Sequence, residues 1–189
     1  ENLSAVVRHL AAALDAGARV LAVMNTVGRA TALLRAAEES GRISPEHLFT
    51  VADVRCPHHG RFARADRETL DAAVTARFGP GSPAGPVLLV GTQTLEQSLD
   101  IDADLLVTDH CPMDVLLQRI GRLHRHARAR PEAYAQARCI VLSPAGNDFE
   151  QFVRTKGRYR GEGSGPAGIG TVYADLRVMK LTRHVLENT

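Results

Sequence analysis

Apolar residues run along the chain in two alternating rhythms. Residues 2–16 (NLSAVVRHLAAALDA) carry valine, leucine and alanine at helical spacing and stop at Gly17, after which residues 18–25 (ARVLAVMN) form a short apolar run suited to a buried strand. The exchange then repeats. Residues 26–40 (TVGRATALLRAAEES) are helical, with Thr26 as N-cap and Gly41 as terminator. Residues 47–55 (HLFTVADVR) read as a second strand, 65–78 (ADRETLDAAVTARF) as a helix and 79–85 (GPGSPAG) as a surface loop. Residues 86–92 (PVLLVGT) and 104–110 (DLLVTDH) read as strands, 113–123 as a helix and 137–143 (ARCIVLS) as a strand. Beyond Ser143 the rhythm weakens: 148–160 read as a short helix, 161–170 as a glycine-rich loop, and 173–188 as a closing amphipathic helix, or a strand followed by a helix. Short apolar strands alternating with helices imply right-handed βαβ crossovers, hence an α/β fold with a parallel sheet covered on both faces. In such a sheet function collects in the loops after the carboxyl ends of the strands. Two polar clusters are placed there by this reading: GTQTLEQSLDID (91–102) and the stretch from Cys111 to His126.

Composition narrows the class. A chain of 189 residues with 44% hydrophobic and 23% charged positions suffices for one domain with a core. The net charge of +2 does not by itself point to nucleic acid, and since the only lysines are Lys156 and Lys180, the arginine excess reads as compositional bias. Only arginines in a pattern count. Cys56, Cys111 and Cys139 are odd in number and widely spaced, which suggests neither a disulfide framework nor a thiolate zinc site and fits a reducing cytoplasm. No apolar run reaches the roughly 18 residues of a membrane span, and no signal peptide is recognisable, so no membrane partner is expected. The chain starts at Glu1 rather than methionine and is expected to be part of something longer.

Asp100, Asp102 and Asp104 alternate like a cation loop, but the sixth position is Leu105 and the twelfth Cys111, where calcium loops need glycine and glutamate. Asp102 and Asp104 then read as polar positions at a strand entrance. His58, His59, His110, His124 and His126 have no carboxylate or thiolate at ligand spacing, so no metal site is expected. In LLQRIGRLHRH (116–126), Leu116, Leu117, Ile120 and Leu123 define one buried helical face, and Gln118, Arg122 and Arg125 another. Taken alone, this is an amphipathic helix with a solvated basic side. Gly121 interrupts it at a cost of about 1 kcal/mol relative to alanine, which marks a helix end or a close backbone approach. Thr92 and Gln93, directly after a buried strand, offer groups that bond phosphate oxygens.

These pieces together resemble a known machine. VGTQTLEQSLDID (90–102) resembles motif V and QRIGRLHR (118–125) motif VI of superfamily 2 helicases. The E-Q-S-L-D-I-D and Q-R-x-G-R-L-H-R-H pattern is similar to that of the type I CRISPR-associated helicase-nuclease. VMNTVGRA (23–30) resembles that family's motif IV, HHGRFARADR (58–67) its H-S-R-F…D-R segment with Gly60 in place of serine, and residues 172–188 the segment closing its second lobe. The resemblance implies a RecA-like lobe over 1–145 with a closing extension over 146–189. It lacks the phosphate-loop motif, the D-E-x-H motif and the HD nuclease module, so the isolated chain is expected not to hydrolyse ATP.

The resemblance also implies roles. ATP lies between two lobes, the missing first lobe holding Mg2+. Arg122 and Arg125 are arginine fingers, and Gln118 reaches the phosphates or attacking water. Asp100 meets the ribose or relays nucleotide state. Arg119 lies on the nucleotide side or orients a carboxylate, and Gly121 turns the backbone so that the next arginine reaches the lobe interface. Thr92, Gln93, Thr26, His59 and Arg61 contact the backbone of single-stranded DNA, with His59 and Arg61 balanced against a structural turn. The implied partners are the first lobe, the nuclease domain, single-stranded DNA and an RNA-guided surveillance complex. Two rival readings are another superfamily 2 helicase, acting on DNA or RNA, and a docking module without catalytic duty.

Overall fold

A computed structural model describes residues 3–96, 99–144, 149, 172–173 and 175–188. Four strands, β1 (Arg19–Val23), β2 (Val87–Gly91), β3 (Leu105–Asp109) and β4 (Arg138–Leu142), form one parallel sheet in the order β2-β1-β3-β4. Every residue of β1, β2 and β3 is buried, which is why these segments read as unbroken apolar runs; edge strand β4 is partly exposed.

Alternate residues of the strands face opposite layers. Val20, Ala22, Leu88, Val90, Leu105 and Val107 pack with helices α1 (Leu3–Asp15) and α2 (Val27–Glu39). Leu21, Val23, Leu89 and Leu106 pack with Leu70, Val74 and Phe78 of α3 (Arg64–Phe78). The expected α/β arrangement with helices on both faces is therefore observed. The Thr26 hydroxyl caps α2 by accepting the Arg29 N–H at 3.3 Å, and Gly17 links α1 to β1 with φ +86°, a conformation that favours glycine.

Three expectations need correction. Residues 47–55 are not a strand: Leu48 bridges Leu88 and His58 bridges Gly91, while between them Val51 pairs with Val54 around Ala52 and Asp53, whose φ values of +47° and +61° reverse the chain. Helix α4 spans Met113–Ile120, ending before residue 123; Gly121 caps it by donating to the Leu117 carbonyl. Its φ of −60° is ordinary right-handed geometry, so Gly121 weakens the helix without supplying a turn that only glycine can make. The buried residues of α4 are Leu116 and Arg119, whereas Leu117 and Ile120 are exposed by 59% and 36%.

Helix α5 (Leu176–Glu187) is capped by Asp175 and closes the described chain as a helix, with no strand before it among the described residues. The short helix expected at 148–160, the loop at 161–170 and the boundary at 145/146 lie outside the described residues, Phe149 excepted. All three cysteines are free, and no described helix is long and apolar enough to cross a membrane.

Candidate functional site

The loop from Thr92 to Asp104 leaves the carboxyl end of β2 and returns to the amino end of β3, so its two ends lie at opposite ends of the sheet. This corrects the expectation that both polar clusters occupy the carboxyl ends. Leu95, Leu99 and Ile101 fasten the loop to the layer containing α3.

At the amino end, Asp102 and Asp104 are fully buried. Asp104 accepts the backbone N–H of Arg19 and one guanidinium N–H each from Arg128 and Arg130, all at 2.8 Å. Asp102 accepts the backbone N–H of Arg125 at 2.6 Å and further bonds from Arg128 and Arg130. Burial works to raise the Asp102 pKa, but the bonds from Arg130 and Arg128 outweigh it and hold the carboxyl below its usual range. These pairs anchor residues 125–130 beneath β3. Leu123 bridges Ala103, and His124 turns the chain with φ +49°.

The anchoring sets the segment before it. Arg125 pairs with Asp100 at 2.6 Å and His126 with the same carboxylate oxygen at 2.9 Å, on an open surface where the Asp100 side chain is 53% exposed. Those two bonds, His126 first, depress the Asp100 pKa. Arg122 is half-buried and donates to the backbone carbonyls of Leu99, at 2.6 Å, and Glu96. It has no carboxylate partner among the described residues, and its Nε–H is buried without an acceptor. Burial, then the neighbouring Arg125 charge, lowers its pKa. The structure thus brings Arg122, Arg125 and Asp100 together: two guanidinium groups and one carboxylate.

Of the two readings of Arg119, on the nucleotide side or orienting a carboxylate, its position matches the second. It is fully buried and pairs with the Glu96 carboxylate at 2.6 Å. It also donates to Thr108 Oγ1 at 2.6 Å, the Asp109 carbonyl at 3.2 Å and Asn25 Oδ1 at 3.1 Å, and so ties α4 to the ends of β3 and β1. The carboxylate it orients is Glu96, not Asp100. Glu96 is bonded from both sides, its side chain by Arg119 and its carbonyl by Arg122. Burial raises its pKa, with Arg119 opposing.

At the carboxyl end, Gln93 donates to the Asn25 carbonyl at 2.8 Å, which joins the β1 and β2 loops. Asn25 in turn donates its N–H to Asp109, and Arg29 binds the two Asp109 oxygens at 2.6 and 2.8 Å. Thr26 lies beside this network as the α2 cap. Thr92 is only 3% exposed, and its backbone bonds hold the turn, so the accessible polar groups are those of Gln93 and Thr26 rather than Thr92. His59 stacks on Phe62 with ring centres 4.3 Å apart, and Arg61 is exposed beside them. Gln118 is exposed on α4.

His58, two residues before Gly60, is fully buried. One ring nitrogen meets Thr94 Oγ1 at 2.7 Å and the other Asp71 Oδ1 at 2.6 Å. Glu96, Asp109, Arg29, Asn25 and His58 had no assigned role in the sequence reading, although Asn25, Arg29, His58 and Glu96 lie within the motif-like stretches 23–30, 58–67 and 90–102. No group of three His, Cys, Asp or Glu side chains among the described residues could hold a metal ion.

Residues 16–128 match the family described as CRISPR-associated nuclease/helicase Cas3, C-terminal. The CRISPR-associated endonuclease/helicase Cas3 of Thermus thermophilus is 50% identical over 92 residues, which is 48% of this chain and 10% of that protein. The crystal structure of T. fusca Cas3 with ATP superposes with a TM-score of 0.74 at 25% identity, over 100% of this chain and 19% of that one. A chain of a CRISPR RNA-guided surveillance complex in a pre-nicking state superposes with a TM-score of 0.72 at 27% identity, over 99% of this chain and 20% of that one. The chain spans between about a tenth and a fifth of the length of these proteins. Motif, sheet order and matched range agree: the chain belongs to the family of Cas3 C-terminal domains, with the fold of their RecA-like helicase lobe.

Proposed function

We propose that this lobe works with a phosphate-loop lobe as half of an ATP-driven motor on single-stranded DNA, and that the whole protein unwinds target DNA and feeds it to a nuclease during CRISPR interference. The observation that carries this reading is the charge imbalance at Arg122, Arg125 and Asp100. Two guanidinium groups lie near one exposed carboxylate, Arg125 paired with it and Arg122 bonded to backbone carbonyls instead, and Arg122 keeps an unbonded, desolvated Nε–H. A polyanion brought up by a partner lobe supplies what this set lacks. A guanidinium offers a permanent charge and a planar donor fork to charge developing during phosphoryl transfer.

In this reading Arg122 and Arg125 hold the γ-phosphate, Gln118 approaches the phosphates or the attacking water, and Asp100 meets the ribose. Mg2+ is held mainly by the other lobe. Gln93, Thr26, His59 and Arg61 bind the DNA backbone without reading sequence, as a translocase requires. The ATP in the T. fusca Cas3 structure supports the nucleotide assignment, and the surveillance-complex relative supports recruitment by an RNA-guided complex.

The test joins this chain to its phosphate-loop lobe and measures DNA-stimulated ATP hydrolysis. Arg122→Ala is expected to lower the rate by about 10³-fold or more. An unchanged rate removes the finger assignment.

A further inference from the structure

His58 directly precedes the turn at 59–62 and is bonded to β2, to α3 and to the loop that follows β2. Its N–H donates to the Val90 carbonyl at 2.8 Å, and its carbonyl accepts the Thr92 N–H at 2.9 Å, so its backbone extends the edge of β2. Gly91 permits this approach: a Cβ there would lie 2.7 Å from the His58 carbonyl oxygen and 2.5 Å from Leu95 Cδ1. The side chain adds a second connection. Asp71 on α3, also bonded by Arg67 at 2.9 Å, accepts from Nε2–H, which leaves Nδ1 to accept the Thr94 O–H at 2.7 Å, with the His58 carbonyl at 3.2 Å as that hydroxyl's alternative acceptor. Burial lowers the His58 pKa and favours this neutral form.

Thr94 lies in the 3-10 turn Gln93–Leu95, which begins the loop leading to Glu96, Leu99 and Asp100. His59, Arg61 and Phe62 follow His58 directly. A shift of the 59–62 turn therefore reaches the loop through one imidazole and two backbone bonds.

We propose that His58 is a positioning residue that couples the DNA-contacting turn at 59–62 to the loop that runs from Gln93 to Asp100, the residue assigned to nucleotide, by holding Thr94 with one ring nitrogen and Asp71 with the other. The inference rests on the functional reading above. It assigns to this bridge the stimulation of ATP hydrolysis by DNA, as distinct from the binding of either.

The bridge is cut at each end in the two-lobe protein. Thr94→Val removes the hydroxyl at constant shape, Asp71→Asn weakens the other acceptor, and Thr94→Ser keeps the hydroxyl. Basal hydrolysis, hydrolysis at saturating single-stranded DNA, the DNA concentration giving half-maximal stimulation, and the unfolding midpoint are measured for each. Thr94→Val and Asp71→Asn are expected to lower the DNA-stimulated kcat by about two- to thirtyfold, the range found for residues that modulate coupling between sites. Basal rate, half-saturating DNA and unfolding midpoint stay as in the parent, and Thr94→Ser restores stimulation.

Full stimulation in both Thr94→Val and Asp71→Asn overturns the inference. So does a parallel fall of basal and stimulated rates with a lowered unfolding midpoint, which is the mark of a structural role alone, or a Thr94→Ser variant as impaired as Thr94→Val. Failure of the underlying reading is separate, because it shows as a parent protein without DNA stimulation or as an Arg122→Ala variant that retains it.

Discussion

Asp100 and the pair Asp102 and Asp104 share one alternating stretch and are all met by arginines from residues 125–130, yet they end in opposite surroundings. The inner pair is sealed at 0% exposure and balanced, two carboxylates against Arg128 and Arg130. The outer set is more open and unbalanced: Asp100 pairs with Arg125 and His126, while the neighbouring Arg122 has only backbone carbonyls as partners among the described residues. Identical charges thus serve as foundation in one place and stand at the surface a few residues away. Closure over the sheet decides between them, because a buried pair must be complete whereas an exposed set can wait for a ligand.

The largest expected effect that sharpens this contrast is kinetic. In the two-lobe protein Arg122→Ala lowers DNA-stimulated hydrolysis by about 10³- to 10⁵-fold while its unfolding midpoint stays close to the parent's, as measured by steady-state rates and thermal melting. Asp102→Ala comes next and does the reverse. It leaves Arg128 and Arg130 with Asp104 as their one remaining carboxylate and is expected to destabilise the fold by about 3–5 kcal/mol in urea unfolding, whereas Asp100→Ala leaves the midpoint where it was. Equal losses for the two aspartates would erase the distinction.

A smaller effect comes with pH. Bonds from Arg130 and Arg128 overcome burial and hold Asp102 below the ordinary value of 3.8, so the inner pairing persists through weak acid and its contribution is lost only as pH falls through that depressed value. His58 and His110 are buried and lowered from 6.5, so the stability tied to their neutral forms is present above 6.5 and declines as pH falls below it. Thermal midpoints at pH 7.5 and about 5.5 check this, and an equal midpoint at both contradicts it. The smallest effect is that of Arg125→Ala, expected to leave the unfolding midpoint unchanged because its pairing with Asp100 is solvent-exposed.

Most strands and helices were legible because burial on both sheet faces writes itself as apolar runs, as in Val87–Gly91 and Leu105–Asp109. The motif residues Arg122, Arg125 and Asp100 were legible by resemblance, and they meet in space. Apolar periodicity failed on α4, where it selected Leu117 and Ile120 for burial. Arg119 occupies the interior because a ring of acceptors from Glu96, Thr108 and Asn25 satisfies its guanidinium, and those partners are scattered through the chain where no local pattern can gather them. Alternation likewise failed at 47–55, where Ala52 and Asp53 adopt left-handed geometry without the glycine that would announce it. Asp102 and Asp104 were read as strand-entrance polar residues, and their arginine partners twenty-odd positions later could be assigned only from the folded chain.

The contact between Gly91 and His58 has a mechanical consequence. With only a hydrogen atom separating that α-carbon from its neighbour's carbonyl, there is no soft layer between them to deform. Any side chain at position 91 would therefore wedge the 58–62 segment away from the strand that it borders.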